Sequence, residues 1–396
     1  MTVSRVQLLP EAAAPRSAAS AKGARPAPSA EPIVIAVEAS RLLRDVRGIG
    51  RYVRAMLPRL LAQRPGATLQ LFARDTFQAS LLREWVAAEE TLRWRTQVRL
   101  TNTMALARAD LFWYPWNIVE HAPAQGAVVA TVHDIAPVAL PDPRWTRVFR
   151  NLRSRRRYDH TTRRATLMLT PSQFTADELE RVFGVEAART RVVPLAADDF
   201  VAQTDACDRE VLMRHGVASR PFILAVGVNE ARKNLSMIRR ALSRVVASHP
   251  DLTLVFAGPR RVDKPRDRDQ PWERTLGFIS DSDLAALYRH ATALVCSSHY
   301  EGFGLPLLEA MQAGTPVISA WTSSLPEVAG DAASWVEPDD DGAMAAAVDR
   351  VLTDDRLRRT MRDAGRRRAA QFSWDTTAER TLAVFDEARV LVGGRG

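Results

Sequence analysis

The chain has 396 residues, 46% of them hydrophobic and 26% charged, which is too long for one ordinary core, suits two domains of roughly 150 to 200 residues, and excludes a fibrous or wholly disordered polymer. Its net charge of +9 comes almost entirely from arginine, since lysine occurs only at Lys22, Lys233 and Lys264; this balance suits anionic partners, from sugar nucleotides to phospholipids and nucleic acids, without choosing among them. Two distant cysteines, Cys207 and Cys296, suggest neither a disulfide framework nor a zinc site; with no apolar run near the roughly 20 residues of a membrane span, the expected location is the cytoplasm, any membrane contact being peripheral and on the inner face.

Residues 1–31 are rich in Ala, Pro and Ser with few large apolar groups, so they cannot offset their ordering entropy and are expected to form a tail. The run IVIAV at 33–37 has the length and unbroken apolarity of a strand buried on both faces. The glycine-containing loop RGIGRYV follows, then a helical pattern through Tyr52, Met56 and Leu60. Further buried-strand runs start near Leu69, Leu111, Ala127, Leu167 and Arg191, with helical stretches between many of them, which predicts a mainly parallel sheet covered by helices.

The pattern restarts at FILAVG from Phe222, continuing with a helix over 234–248, a strand near Leu252, a helix over 281–290, the strand ALVCSS near Ala293, a helix over 305–313 and the strand TPVISA. Residues 201–220 show no buried-strand pattern and read as a linker. The last segment places Leu382, Phe385, Ala388 and Leu391 at helical spacing. The predicted class is α/β: a first Rossmann-like domain over 32–200, a second over 221–375 and a closing helix over 376–396. Open parallel sheets bind ligands at the carboxyl ends of their strands, so the site is expected between the domains.

The strongest motif is EGFGLPLLEAMQAGTPVIS from Glu301. Gly302 and Gly304 form a turn after a strand, and Pro306 stands where a first helical turn tolerates a missing amide hydrogen. Free amides and the positive end of the helix dipole, around Phe303 to Leu305, favour a phosphate, and the glycines would let it approach closely. Glu301 and Glu309 flank the turn, one placed for a sugar and the other for a ribose hydroxyl; two surface carboxylates beside an ordinary turn are the plainer alternative.

This block resembles the signature of the family 4 glycosyltransferases, including its two glutamates separated by seven residues, and agreement continues through SSLPEVAGDAASWVEPDD and FSW. The resemblance implies a GT-B fold of two Rossmann-like domains facing a cleft, a nucleotide-sugar donor, a glycan or lipid-diphosphate-linked acceptor, no cofactor, no catalytic metal and retention of anomeric configuration.

In GVNEARKN, Gly227 ends a buried strand and Arg232 and Lys233 follow, placed to neutralise a departing diphosphate. An exposed charged helix start is the alternative. Many family members carry a basic residue where this chain has Val228, and Arg232 is the candidate substitute. In TVHD, His133 resembles the family's histidine beside the transferred sugar, against the reading of a structural histidine; no further ligands with suitable spacing support a metal. Gly48 and Gly50 of RGIGRYV resemble the loop that approaches the donor phosphates, although such turns also need glycine for positive φ. Ser280 falls in the segment that resembles the nucleotide-base border and also looks like a helix cap, and Asp339 to Asp341 read as a cap before a DxD metal motif.

Residues 144–164 hold nine arginines and one acidic residue, Asp159, with Trp145, Phe149 and Leu152 at spacing for an apolar stripe. Two readings stand, a solvated helix and a face for anionic lipid or a lipid-diphosphate acceptor. RGIGRYV and TVHDIAP look most like mannosyl- or rhamnosyltransferases of bacterial surface polysaccharides. The competing readings are a nucleotide-sugar epimerase of the same architecture and a non-catalytic nucleic-acid-binding protein; no recognition module supports the latter, and nucleic acid is not an expected partner.

Overall fold

The computed structural model describes residues 32–45, 48–123, 125–141, 148–197, 207–259 and 270–394. The expected tail, 1–31, lies outside the described residues, as do 201–206 of the expected linker and Arg144, Trp145 and Arg147 of the basic segment.

The first sheet is built from β1 (Ile33–Glu38), β2 (Ala67–Ala73), β3 (Thr96–Leu100), β4 (Leu111–Tyr114), β5 (Ala127–Thr131), β6 (Leu167–Thr170) and β7 (Thr190–Val192). Its order is β3-β2-β1-β4-β5-β6-β7, and every pairing is parallel. The second sheet uses β8 (Phe222–Val226), β9 (Thr253–Ala257), β10 (Glu273–Gly277), β11 (Ala293–Cys296), β12 (Val317–Ala320) and β13 (Ala333–Val336). Its order, β10-β9-β8-β11-β12-β13, is again wholly parallel. Each strand order reverses direction once, at β1/β4 and at β8/β11, and such a switch point opens a crevice at the carboxyl ends of the strands.

The helices are α1 (Ile49–Gln63), α2 (Thr76–Ala88), α3 (Ala136–Ala139), α4 (Val148–Arg164), α5 (Gln173–Phe183), α6 (Asp208–Arg214), α7 (Leu235–Val245), α8 (Asp281–His290), α9 (Leu305–Ala313), α10 (Leu325–Ala329), α11 (Asp341–Thr353), α12 (Asp355–Ala369) and α13 (Trp374–Gly393). Central strands such as LFWY and AVVAT are buried at every position, because helices cover both faces of the sheets.

Two expectations change. The linker span 201–220 contains α6, whose Val211 and Leu212 are buried and whose Asp208 accepts Arg289 Nε at 2.8 Å. This short polar helix is pinned to α8 by ion pairs with no periodicity of its own to announce it. The closing helix begins earlier, at Trp374, capped by Ser373, whose side chain accepts from the Thr376 amide. It packs on α1 and β5 of the first domain, Phe385 meeting Trp113 edge-on at 5.7 Å. Leu391, expected on its apolar stripe, is 39% exposed, because the contact face ends at Ala388.

Candidate active site

The carboxyl ends of β8 and β11 bring the second domain's charged motifs together. After β11 the chain runs through buried Ser297 and Ser298 to Glu301, then turns at Gly304, whose φ of 103° favours glycine. Helix α9 starts there with Pro306 in its first turn. The amides of Phe303, Gly304 and Leu305 take no partner among the described residues, leaving donors beside the positive end of the helix dipole.

Gly302 has a different reason from the one expected. A Cβ there would run into the His133 carbonyl of the first domain, so glycine serves the close approach of two backbones. The Gly302 carbonyl accepts Ser172 Oγ at 2.7 Å and Thr175 Oγ1 at 3.2 Å, both from the first domain. The loop is also held from its own side: the Glu301 amide donates to Ser323 Oγ at 2.9 Å, and Ser324 Oγ donates to the Glu301 carbonyl at 2.8 Å.

The Glu301 carboxylate is only 8% exposed in its residue and fully engaged. Its Oε1 accepts Lys233 Nζ at 2.5 Å and Ser298 Oγ at 2.6 Å, and its Oε2 accepts Arg232 at 3.1 Å. Burial alone would raise this carboxyl, but the two cations and their hydrogen bonds outweigh it and hold it below its ordinary value. Arg232 also reaches Glu230 at 2.9 Å and the Tyr300 carbonyl at 3.1 Å. Lys233 folds back across Gly227, where a Cβ would press on its side chain at 3.1 Å, and the φ of 139° at Gly227 belongs to glycine in any case. Val228 supplies no charge here; Arg232 does.

From the first domain, His133 follows β5. Its amide donates to Asn117 Oδ1 at 2.6 Å, and its Nε2 lies 3.0 Å from the Pro115 carbonyl. A carbonyl only accepts, so Nε2 carries the proton and Nδ1 is the acceptor nitrogen. Burial pulls the imidazole down to about 4, against the opposing pull of that carbonyl, so it is neutral at pH 7. The ring meets Tyr52 edge-on at 5.0 Å. Asp134, beside it, is raised above its ordinary value mainly by burial, and its Oδ1 caps the Ala136 amide at 3.0 Å.

Glu309 projects from α9 and is gripped from two sides: Tyr288 donates to Oε2 at 2.7 Å and Arg51 to Oε1 at 2.6 Å. Arg51 belongs to RGIGRYV, just after Gly48, with φ 59°, and Gly50, where a Cβ would strike the Asp45 carbonyl. Neither Arg51 nor Tyr288 was singled out from sequence; Arg51 lay within a motif already chosen, but its partner is 258 residues away. Ser280 is exposed as the N-cap of α8, accepting the Asp283 amide at 3.1 Å, and directly precedes Asp281, which also accepts from Arg51. Asp340 caps α11 through the Ala343 amide, and Asp341 pairs with Arg240 and Arg244. Among the described residues no group of three or more His, Cys, Asp or Glu side chains is placed to hold a metal ion.

Helix α4 buries Tyr158, Thr161 and Thr162 and turns Phe149 outward, 86% exposed, with Leu152 beside it. Arg153, Arg156, Arg157 and His160 line an open groove of about 710 Å³ with Phe149 and Leu152. No helix of the described residues is long and apolar enough to cross a membrane.

Two Rossmann-like sheets whose carboxyl ends meet over a phosphate-ready helix terminus, a buried glutamate and a basic pair define a GT-B protein. Two family models match, one described as Glycosyl transferases group 1 over 214–368 and one as Glycosyltransferase Family 4 over 46–200. The chain belongs to the family 4 glycosyltransferases. It is 34% identical to the O-antigen chain mannosyltransferase B of Escherichia coli over 230 residues, 56% of this chain and 60% of that protein. Against the MMP alpha-(1->4)-mannosyltransferase of Mycolicibacterium hassiacum the identity is 31%, over 56% of this chain and 54% of the other. The chain thus spans little more than half the length of these curated relatives. In fold it is similar to HepE of Anabaena, solved in complex with UDP-glucose, with a TM-score of 0.68 at 17% identity over 90% of this chain and 100% of that one.

Proposed function

We propose that the protein is a retaining glycosyltransferase that moves a hexosyl group, with mannose or rhamnose favoured, from a nucleotide-sugar to a glycan or lipid-linked acceptor in surface polysaccharide synthesis. The observation that carries this reading is the convergence of Lys233 and Arg232 on Glu301 beside the unpartnered amides of α9, in a loop whose Gly302 packs against the His133 backbone carbonyl of the first domain. The names of the mannosyltransferase relatives support the sugar, and the UDP-glucose complex of HepE supports a nucleotide-sugar donor.

A departing nucleoside diphosphate gains negative charge in the transition state. Two fixed cations and a helix terminus placed there stabilise that state more than the ground state, which lowers the barrier. These groups meet the diphosphate charge with no metal or other cofactor. Neutral His133 accepts from a sugar hydroxyl through Nδ1, Glu301 lies on the sugar's other side, and Glu309 takes the ribose hydroxyls. Closure of the two domains excludes water, which would otherwise hydrolyse the donor. With the leaving phosphate deprotonating the acceptor hydroxyl on the same face, configuration is retained. Helix α4 on the acceptor domain meets anionic lipid, bringing the enzyme to the cytoplasmic face of a membrane.

Thermal-shift screening against GDP-, UDP-, ADP- and dTDP-sugars tests the donor. One class is expected to raise the melting temperature selectively, and transfer to an added oligosaccharide acceptor is expected to survive EDTA. No stabilisation by any of them sinks the donor reading, and donor turnover without an acceptor turns it to an epimerase.

A further inference from the structure

Besides the hydroxyls of Ser172 and Thr175 on the Gly302 carbonyl, one guanidinium joins the two domains at the site. Arg51, in the first turn of α1, sends one terminal nitrogen to Glu309 Oε1 at 2.6 Å and the other to Asp281 Oδ1 at 2.8 Å. Its side chain is 11% exposed, and that of Glu309 7%. Both partners belong to the second domain, on α9 and at the start of α8. The loop that aims Arg51 is fixed by glycine at both ends of a tight turn: Gly48 at positive φ, and Gly50 against the Asp45 carbonyl.

A carboxylate offers about four lone-pair sites. Arg51 and Tyr288 each take one on Glu309, one on either oxygen. The grip therefore fixes the direction in which the carboxylate presents both oxygens. A planar fork sends a separate terminal nitrogen to each of two carboxylates on two helices, a geometry that a lysine ammonium reproduces only in part.

The geometry points to Arg51 as a positioning residue that joins closure of the two domains to the orientation of Glu309, so that the donor's sugar hydroxyls meet a fully set carboxylate only when the cleft is shut. The clasp stands on the ion pairs alone; its link to ribose rests on the function proposed above. When the domains part, Arg51 leaves both carboxylates, and Glu309 keeps Tyr288 but loses the restraint that comes from the first domain.

Small-angle scattering of the ligand-free protein tests the clasp, and calorimetric titration with GDP, UDP and ADP, each separately, tests the link. Arg51→Gln is expected to enlarge the radius of gyration and to weaken whichever nucleoside diphosphate binds the wild type by about tenfold. Arg51→Lys is expected to recover part of the affinity. Asp281→Asn, which leaves Glu309 and α1 untouched, is expected to give a smaller change of the same kind, with the double variant no worse than Arg51→Gln alone. Superimposable scattering curves for wild type and both single variants would overturn the clasp, and unchanged nucleoside diphosphate affinity in Arg51→Gln would overturn the link. If no nucleoside diphosphate binds the wild type, the donor reading falls, while the scattering comparison still decides the clasp.

Discussion

The two halves of the site are built from opposite materials. On the second domain Glu301, Lys233 and Arg232 are ionised and paired with one another within 2.5 to 3.1 Å. On the first, His133 offers a buried imidazole kept neutral, its Nε2 on the Pro115 carbonyl and its backbone amide held by Asn117, with Asp134 beside it raised above its ordinary value by burial. The charged half suits a diphosphate, which differs little from donor to donor. The neutral half suits a sugar hydroxyl, for which Nδ1 of His133 is an acceptor. What the contrast teaches is that the ion pairs of the cleft gather on the second domain's motifs, with Arg51 of the first joining them at Glu309, while the imidazole of the first domain is kept uncharged.

Breaking the charged half has the largest expected effect. Glu301→Gln leaves Lys233 partly buried without its carboxylate and Arg232 with Glu230 alone, and removing one member of a buried ion pair typically costs about 3 kcal/mol. The variant is expected to unfold at lower urea with an unchanged slope and to transfer sugar at least on the order of a hundredfold more slowly. Wild-type stability with lost activity would mean that the triad contributes to chemistry alone, as the sequence by itself suggests; near-normal transfer would remove Glu301 from the site. The lowered carboxyl also gives a direction with pH: its contribution is present above the ordinary glutamate range and is lost as pH falls through its depressed value.

The same contrast explains what could be read before the fold was seen. Strands buried on both faces, such as FILAV and LFWY, appear as unbroken apolar runs. The three strands that escaped notice, TQVRL, ERTLG and ASWV, are all at sheet edges with partly exposed positions, where one side of the backbone has no neighbour and polar residues are tolerated. The charged half was legible because glycine turn, helix start and carboxylates follow one another in a single segment. Arg51 and the Ser172 and Thr175 contacts to Gly302 were not, since their partners are 127 to 258 residues distant and nothing local marks such a pairing.

The neutral half yields the next effect. His133 has its imidazole pulled down to about 4 from an ordinary 6.5. Between those values the unfolded chain binds a proton that the folded one refuses, so stability is full above about pH 6.5 and falls as pH drops towards 4. At about 1.4 kcal/mol for each pH unit this comes to about 3 kcal/mol across the window. His133→Phe is expected to flatten that part of the curve of unfolding free energy against pH. A slope that persists in the variant would place the titrating group elsewhere.

The smallest effect belongs to the edge of the neutral half, at α4. Phe149 is 86% exposed above a groove lined by Arg153, Arg156 and Arg157, the last paired with Glu120 on the same wall, so an apolar side chain and an excess of cations share one place. Seating a phenylalanine in the interface of a bilayer is worth about 1 to 2 kcal/mol, whereas the attraction of arginines to anionic headgroups fades with salt as the screening length shrinks. Sedimentation with vesicles containing phosphatidylglycerol is therefore expected to fall roughly tenfold in Phe149→Asp and again when sodium chloride is raised, while transfer to a soluble acceptor holds. Binding that needs no anionic lipid would leave α4 a solvated helix, and the acceptor would then have to be recognised wholly within the cleft. If binding instead follows both the ring and the salt, the neutral half gains a charged border of its own, set outside the cleft where it can gather an acceptor without disturbing the pairs around Glu301.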